Sequence, residues 1–248
     1  MRINRNCHSA LVFALTVGIA SCGTEAPPAV SRVWPAMGTM MSVAAWAADT
    51  TRLASALTAA HDSVERIDLL VQRRTAFAPL DSVGRELRQH TGMRATAESL
   101  ASGYALDRAA LALAGLADSA LFDLGGQYLW IGPAGGVTHR IVGIPDPDNS
   151  LDALGWVDLR GGSIRTQSRS AERPGRARSV TVLAGDALSA HAWSIAFFAI
   201  GCDSAFAVAA RLEGRVGVVC ADSAQVRWTP DLEKRVTVPE SSRPAPAP

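Results

Sequence analysis

The stretch RSVTVLAGDALSAHAWSIAFFAIG, residues 178–201, decides what kind of fold this chain makes. Its first part is a β-branched apolar run that reads as a strand. Its second part, past Gly185, is so uniformly apolar that it reads as a buried helix, with His191 and Trp193 set among alanines and phenylalanines. A second helix, SAFAVAARLE, and two strands, VGVVCAD and QVRWTP, follow it. Upstream, RVWPAMGTMMSVAAWA (32–47) reads as a strand or hairpin interrupted by Pro35 and Gly38. Leu53, Leu57, Ala60, Val64, Ile67 and Val71 recur at steps of three and four, which predicts an amphipathic helix capped by Asp49 or Thr50. A loop and short helix are expected at 77–92, and a longer alanine-rich helix at 96–117 with Gly103 inside it or at its start. Short β segments divided by glycines come next, with Gly161–Gly162 read as a hairpin turn. Strands and helices mix without strict β-α-β alternation. The expected class is therefore α+β in one compact domain, with mixed or antiparallel sheets and packed helices.

The bulk numbers set limits. The chain has 248 residues, 48% of them hydrophobic, enough for a substantial core. Basic and acidic residues number 24 and 23, so no whole-chain field gathers nucleic acid or coats an anionic membrane, and no nucleic-acid partner is expected. Lys234 is the only lysine, which removes the Walker-type phosphate lysine and with it P-loop chemistry.

The N-terminus has the layout of a secretory signal: Arg2 and Arg5, an apolar run from Ala10 to Ala20, then small residues before Cys22. IASC at 19–22 resembles a bacterial lipobox. Two readings stand, an ordinary cleaved signal and a lipoprotein anchored to the membrane through lipid on Cys22. The second gives a signal peptide at 1–21, a tether at 22–32, the folded domain at 33–238 and a proline-rich tail expected to be disordered at 239–248. Cys202 and Cys220 then remain. In an oxidising compartment they either pair or stay as free buried thiols.

Four stretches can carry chemistry. MGT at 37–39 is a turn through which backbone can approach a ligand. SGYALDRAA at 102–110 sets Tyr104 and Asp107 three residues apart on one helical face. DLGG ends a strand in Gly125 and Gly126, where backbone N–H groups can come close to a ligand. The arginines at 165, 169, 173, 176 and 178 form a basic stretch suited to phosphates.

The order of these blocks, joined by VGIPDP (142–147), SVTVLA (179–184) and the A-x-A-x-S-x-A-x-F-x-x-G pattern at 190–201, resembles the ApbE family of FAD:protein FMN transferases. The likeness runs from about Val33 to Val238. It implies a T-fold-like α+β domain in a periplasmic or lipid-anchored protein, with FAD as substrate and Mg²⁺ as cofactor. It also implies transfer of FMN to a threonine of a periplasmic flavoprotein acceptor. By the same resemblance Met37 contacts the flavin, Phe77 stacks on it where the family has tyrosine, and Gly103, Tyr104, Asp107, Gly125 and Gly126 belong to the cofactor site. The metal positions are Ala110, through its backbone oxygen, His191, Ser194 and Ile195. No catalytic residue is assigned.

This chain departs from the family at the metal. The family's A-D-A-x-S-T-A reads AHAWSIA here, so an aspartate and a threonine become His191 and Ile195. Magnesium prefers hard oxygen, while imidazole suits Mn²⁺ or Zn²⁺ better. The lysine of the family's K-G-Y is Ser102, and neither its F-D-P segment nor its H-x-I-x-D-P-x-T-G loop has a counterpart. His191 is thus a substituted metal ligand, a hydrogen-bonded histidine in a site that has lost its metal, or a residue placed elsewhere than the aligned site; Ser194 keeps an oxygen nearby. The second reading makes the protein a flavin- or protein-binding lipoprotein without turnover.

Overall fold

The computed structural model describes residues 29–73, 78–132, 139–149, 151–169, 176–222 and 225–239. The signal, Cys22, Phe77, Arg173 and nearly all of the C-terminal tail lie outside the described residues. The first strand, β1 (Ala29–Ala36), begins four residues ahead of the expected domain boundary and forms a hairpin with β2 (Thr39–Trp46). The turn between them is Met37–Gly38, both at positive φ (50° and 73°), which matches the right-handed twist of the flanking strands. Pro35 is tolerated because β1 is the outer strand of its sheet.

Helix α1 (Thr50–Gln72) starts where the Asp49 carboxylate accepts the Arg52 N–H, and it buries the apolar stripe seen in the sequence. After α2 (Ala78–Thr91), α3 (Ala97–Ala112) opens on a Thr96/Ser99 capping box and closes five residues earlier than expected. Then come β3 (Ser119–Leu124), β4 (Gln127–Ile131), β5 (Arg140–Pro145), β6 (Ala153–Leu159), β7 (Gly162–Ser168) and β8 (Ser179–Ala184). The helix pair α4 (Ala187–Ile200) and α5 (Cys202–Arg211) follows, then β9 (Val216–Ala221), β10 (Val226–Trp228), a 3₁₀ turn at Pro230–Leu232 and β11 (Val236–Thr237).

The strands make an eight-stranded sheet, β1-β2-β3-β4-β7-β8-β9-β10, and a three-stranded sheet, β11-β6-β5; every pairing among the described residues is antiparallel. The class is α+β, as expected. The Gly161–Gly162 hairpin is not formed. β6 and β7 belong to different sheets, and the glycines mark the corner where the chain changes layer. A Cβ on Gly162 would lie 2.2 Å from the Ala184 carbonyl, so only glycine passes this corner.

Alternation along the large sheet divides the interior. Val180 and Val182 of β8 and Val216 and Val218 of β9 face α4 and α5, while Leu183 and Val219 face the small sheet. Helices α1 and α3 cover the β1–β4 half with a second cluster built on Leu57, Leu106 and Phe122. Across the layers, the Arg140 guanidinium of β5 lies 4.7 Å from the ring centre of Trp46 and 4.5 Å from that of Trp130, tying the two sheets together by cation–π contact.

Cys202 and Cys220 form a disulfide, which resolves the alternative left open by the sequence and ties the start of α5 to β9. With 18 residues of sequence separation, removing it by C202S/C220S is expected to cost about 3 kcal/mol. Denaturant unfolding measures this; a midpoint unchanged in the double variant would contradict it.

Candidate functional site

The site grows from the meeting of α3 with α4. Gly103 is where the helices touch: a Cβ there would lie 2.7 Å from the Ala187 carbonyl and 2.8 Å from the His191 Cβ. One turn further along α3, the Asp107 carboxylate accepts the Ala187 N–H (2.7 Å) and the Leu188 N–H (2.9 Å). Asp186 takes the Ser189 N–H, so two carboxylates satisfy the first turn of α4. Burial pushes the Asp107 carboxyl up to about 6, against the two backbone bonds that pull it down.

Beneath α4 runs β7. Its helix-facing positions are Ser163, Arg165 and Gln167, all polar, where the adjoining β8 presents Val180 and Val182. Gln127 is the register partner of Arg165 on β4 and is almost wholly buried. Its Nε2 donates to the Ser163 hydroxyl (3.1 Å) and the Ala187 carbonyl (2.7 Å), which turns its Oε1 toward His191 Nδ1 at 3.0 Å. The Ser102 hydroxyl lies 3.3 Å from the same nitrogen, and His191 Nε2 lies 2.9 Å from the Ser99 carbonyl. Two of these three partners can only accept, so the surroundings would satisfy a doubly protonated ring. Burial first, and the Arg165 charge second, nevertheless lower the His191 pKa to about 4. The neutral ring carries one N–H and donates to only one of the two acceptors, the Ser99 carbonyl from Nε2 or Gln127 Oε1 from Nδ1; in the first case the Ser102 hydroxyl can donate to Nδ1.

His191 opens on a cleft of about 410 Å³. Arg165, Gln167 and the Ser99 backbone line its polar side, and Ile195, Phe198 and Ala199 its apolar side. Arg165 Nη1 donates to the Gly125 carbonyl at 2.6 Å, and Gly125 in turn sits against the Thr39 side chain and donates its N–H to the Met40 carbonyl. The MGT turn, the DLGG turn and α4 are therefore joined through Arg165 and Gln127. Gly126 donates to the Asp123 carboxylate.

The remaining expected residues are placed as follows. Met37 is half-buried against the α1–α3 core, and Tyr104 packs between the two helix-side clusters. The Ala110 carbonyl accepts the Leu113 N–H at the end of α3, and the backbone oxygen beside residue 191 is that of Ser99. The Ser194 hydroxyl donates back to the His191 carbonyl and lies 3.4 Å from Gln167 Nε2. Of the arginine stretch, only Arg165 lines this cleft among the described residues; Arg178 pairs with Asp148. Gln127, Gln167 and Ser99 were not picked out in the sequence, although the alternation of GSIRTQS places Ser163, Arg165 and Gln167 on one face.

This donor set does not suit Mg²⁺. Both imidazole nitrogens already have internal partners, Ile195 offers only hydrocarbon, and a guanidinium stands on the cleft wall. Among the described residues, the only cluster of three His, Asp or Glu side chains at metal spacing is His61, Asp62 and Glu65 on α1.

The same arrangement of sheets and helices is found in solved flavin transferases. The chain superposes on the flavin transferase ApbE from Vibrio cholerae with a TM-score of 0.64 at 14% identity, covering 84% of this chain and 100% of that one. The Pseudomonas stutzeri flavinyl transferase ApbE in its apo form gives 0.61 at 15% identity, over 82% and 94%. An ApbE protein from Thermotoga maritima gives 0.58 at 17%, over 86% and 98%. Identities this low establish the fold. No curated protein matches the chain by sequence. The sequence profile of the ApbE family, however, matches residues 35–173, more than half of the chain, and the protein belongs to the ApbE family.

The two perturbed groups give stability opposite slopes with pH. Asp107 holds its proton more tightly folded than unfolded (about 6 against 3.8), so its contribution falls as pH rises through that window. His191 holds its proton less tightly folded (about 4 against 6.5), so its contribution falls as pH drops from 6.5 toward 4. Each shift amounts to about 3 kcal/mol. Urea unfolding at stepped pH is expected to show D107N losing stability on acidification and H191N losing it on going from pH 4 to 6, with the unmodified protein flatter than either. Parallel slopes in the two variants would contradict the assignment.

Proposed function

We propose that this protein is an exported, flavin-binding member of the ApbE family that takes FAD into the cleft beneath α4 and has lost the Mg²⁺-dependent transfer of FMN to a threonine of an acceptor protein. The observation that carries this reading is a buried His191, with protein partners within hydrogen-bond distance of both ring nitrogens, at the position where the family resemblance calls for a magnesium-binding aspartate. Flavin contact is supported by the junction of the Met37 turn, the Gly125–Gly126 turn and the polar strip of β7 at one cleft. Among the described residues no helix is long and apolar enough to cross a membrane. Attachment to the membrane on the periplasmic side therefore rests, in this reading, on lipid at Cys22, and the Cys202–Cys220 disulfide supports an oxidising compartment.

The test is to incubate the purified protein with FAD, either Mg²⁺ or Mn²⁺, and a threonine-bearing periplasmic flavoprotein domain, and then to weigh the acceptor. No gain in acceptor mass is expected, while FAD titrated into the protein binds. A gain of one FMN would overturn the loss of transfer and restore the FAD:protein FMN transferase reading. The double substitution H191D/I195T returns two oxygen ligands to the cleft. Calorimetric titration should then show Mg²⁺ binding that the unmodified protein lacks.

A further inference from the structure

We propose that His61, Asp62 and Glu65 of α1 form a binding site for a divalent transition cation, Zn²⁺, separate from the cleft beneath α4.

Three observations carry it. The first is the donor set. One imidazole nitrogen and two carboxylate oxygens lie within 4.8 Å of one another, which no other trio of His, Cys, Asp or Glu achieves among the described residues. His61 and Glu65 stand four residues apart on one face of the helix, with Nε2 3.9 Å from Oε1. Donors bonded to a tetrahedral Zn²⁺ are about 3.4 Å from each other, so this pair must close by only about half an ångström. Both carboxylates are exposed, and their side chains can rotate to do so. The second observation is the nitrogen itself. The His61 side chain is only 15% exposed, and Nε2 is buried with no hydrogen-bond partner. The Glu65 oxygen at 3.9 Å is too distant to serve as one. A polar atom left in this state costs free energy, which a bond to a cation offsets. The third is orientation. Trp34 of β1 stacks on the His61 ring, with centres 4.9 Å apart and planes 17° from parallel. The imidazole is thereby held before an ion arrives, and less side-chain freedom is lost on binding.

The ligand chemistry selects the ion. Mg²⁺ and Ca²⁺ take oxygen, whereas an imidazole joined to two carboxylates suits Zn²⁺. Three protein ligands leave the fourth tetrahedral position to water. No residue lining the cleft beneath α4 belongs to α1 or β1, so a cation here would not stand in for a metal in that cleft.

Calorimetric titration of the EDTA-stripped full-length protein with ZnCl₂ tests this. One Zn²⁺ is expected to bind at least tenfold more tightly than it does to H61N, and E65Q and D62N should each weaken it. Because His61 packs on Trp34, H61N can loosen α1; E65Q and D62N change exposed carboxylates and keep the test independent of folding. Co²⁺ in place of zinc should give a visible absorption set by its ligands in the unmodified protein and lose it in H61N. Absence of zinc uptake, or uptake that persists unchanged in all three variants, would overturn the site. So would loss in H61N alone with both carboxylate variants behaving as the unmodified protein, which would leave a lone histidine. None of these outcomes bears on flavin binding.

Discussion

The arrangement of the cleft depends on one buried carboxylate. Asp107 reaches from α3 to take the first two N–H groups of α4, and this contact, with the close approach at Gly103, fixes where α4 begins. Helical periodicity does the rest: once Ala187 is anchored, residues 191, 195, 198 and 199 stand over β7 and face its side chains. The anchor has a chemical consequence. A helix N-terminus is ordinarily a ready anion site, but here the N–H groups of 187, 188 and 189 are already bonded to Asp107 and Asp186.

The second constraint is the polar strip under α4. Ser163, Gln167, Gln127, His191 and Ser194 are all buried, and burying such groups costs stability unless each finds a partner. They find one another and the Tyr128, Ala187 and Ser99 carbonyls. Strands β8 and β9 fill equivalent positions with Val180, Val182, Ala184, Val216 and Val218 at no such cost. A network of this kind holds its members in one geometry. That rigidity suits a ligand-binding wall, while burial and the Arg165 charge, opposed by the bond to the Ser99 carbonyl, lower the pKa of the histidine.

Much of this was legible in the sequence. The first hairpin, the Asp49 cap of α1, the apolar helix pair and the glycine turn after β3 all announce themselves through local rules, because turn residues, caps and helical periodicity act over a few positions. What escaped was pairing at a distance. Gly161–Gly162 carries the signal of a hairpin, yet β7 pairs with β4 and β8, and no local pattern names those partners. The arginine stretch looked like one basic loop because its members are close in sequence. Different elements carry them: Arg165 lies within β7 and lines the cleft, while Arg178 precedes β8 and pairs with Asp148. Gln127 looked like the first residue of a strand, and its role emerges only when α4 is laid across it. The disulfide likewise depends on α5 folding back against β9.

The exchange at position 191 changes what the cleft can offer a ligand. In the arrangement that the family resemblance implies, an aspartate holds Mg²⁺ there. Here position 191 is an imidazole lowered in pKa by burial, and the guanidinium on the same cleft wall shares its field with the Asp123 carboxylate. The two arrangements are not equivalent chemically. A divalent ion bonded to a phosphoryl oxygen draws electron density from the linkage as it breaks, whereas a guanidinium acts chiefly through charge and hydrogen bonds to the oxygens it meets. Interactions of equal strength in the ground state and the transition state hold a ligand without accelerating its reaction. A cleft without the Lewis acid is, on the reading proposed here, built to retain a flavin nucleotide rather than to cleave it.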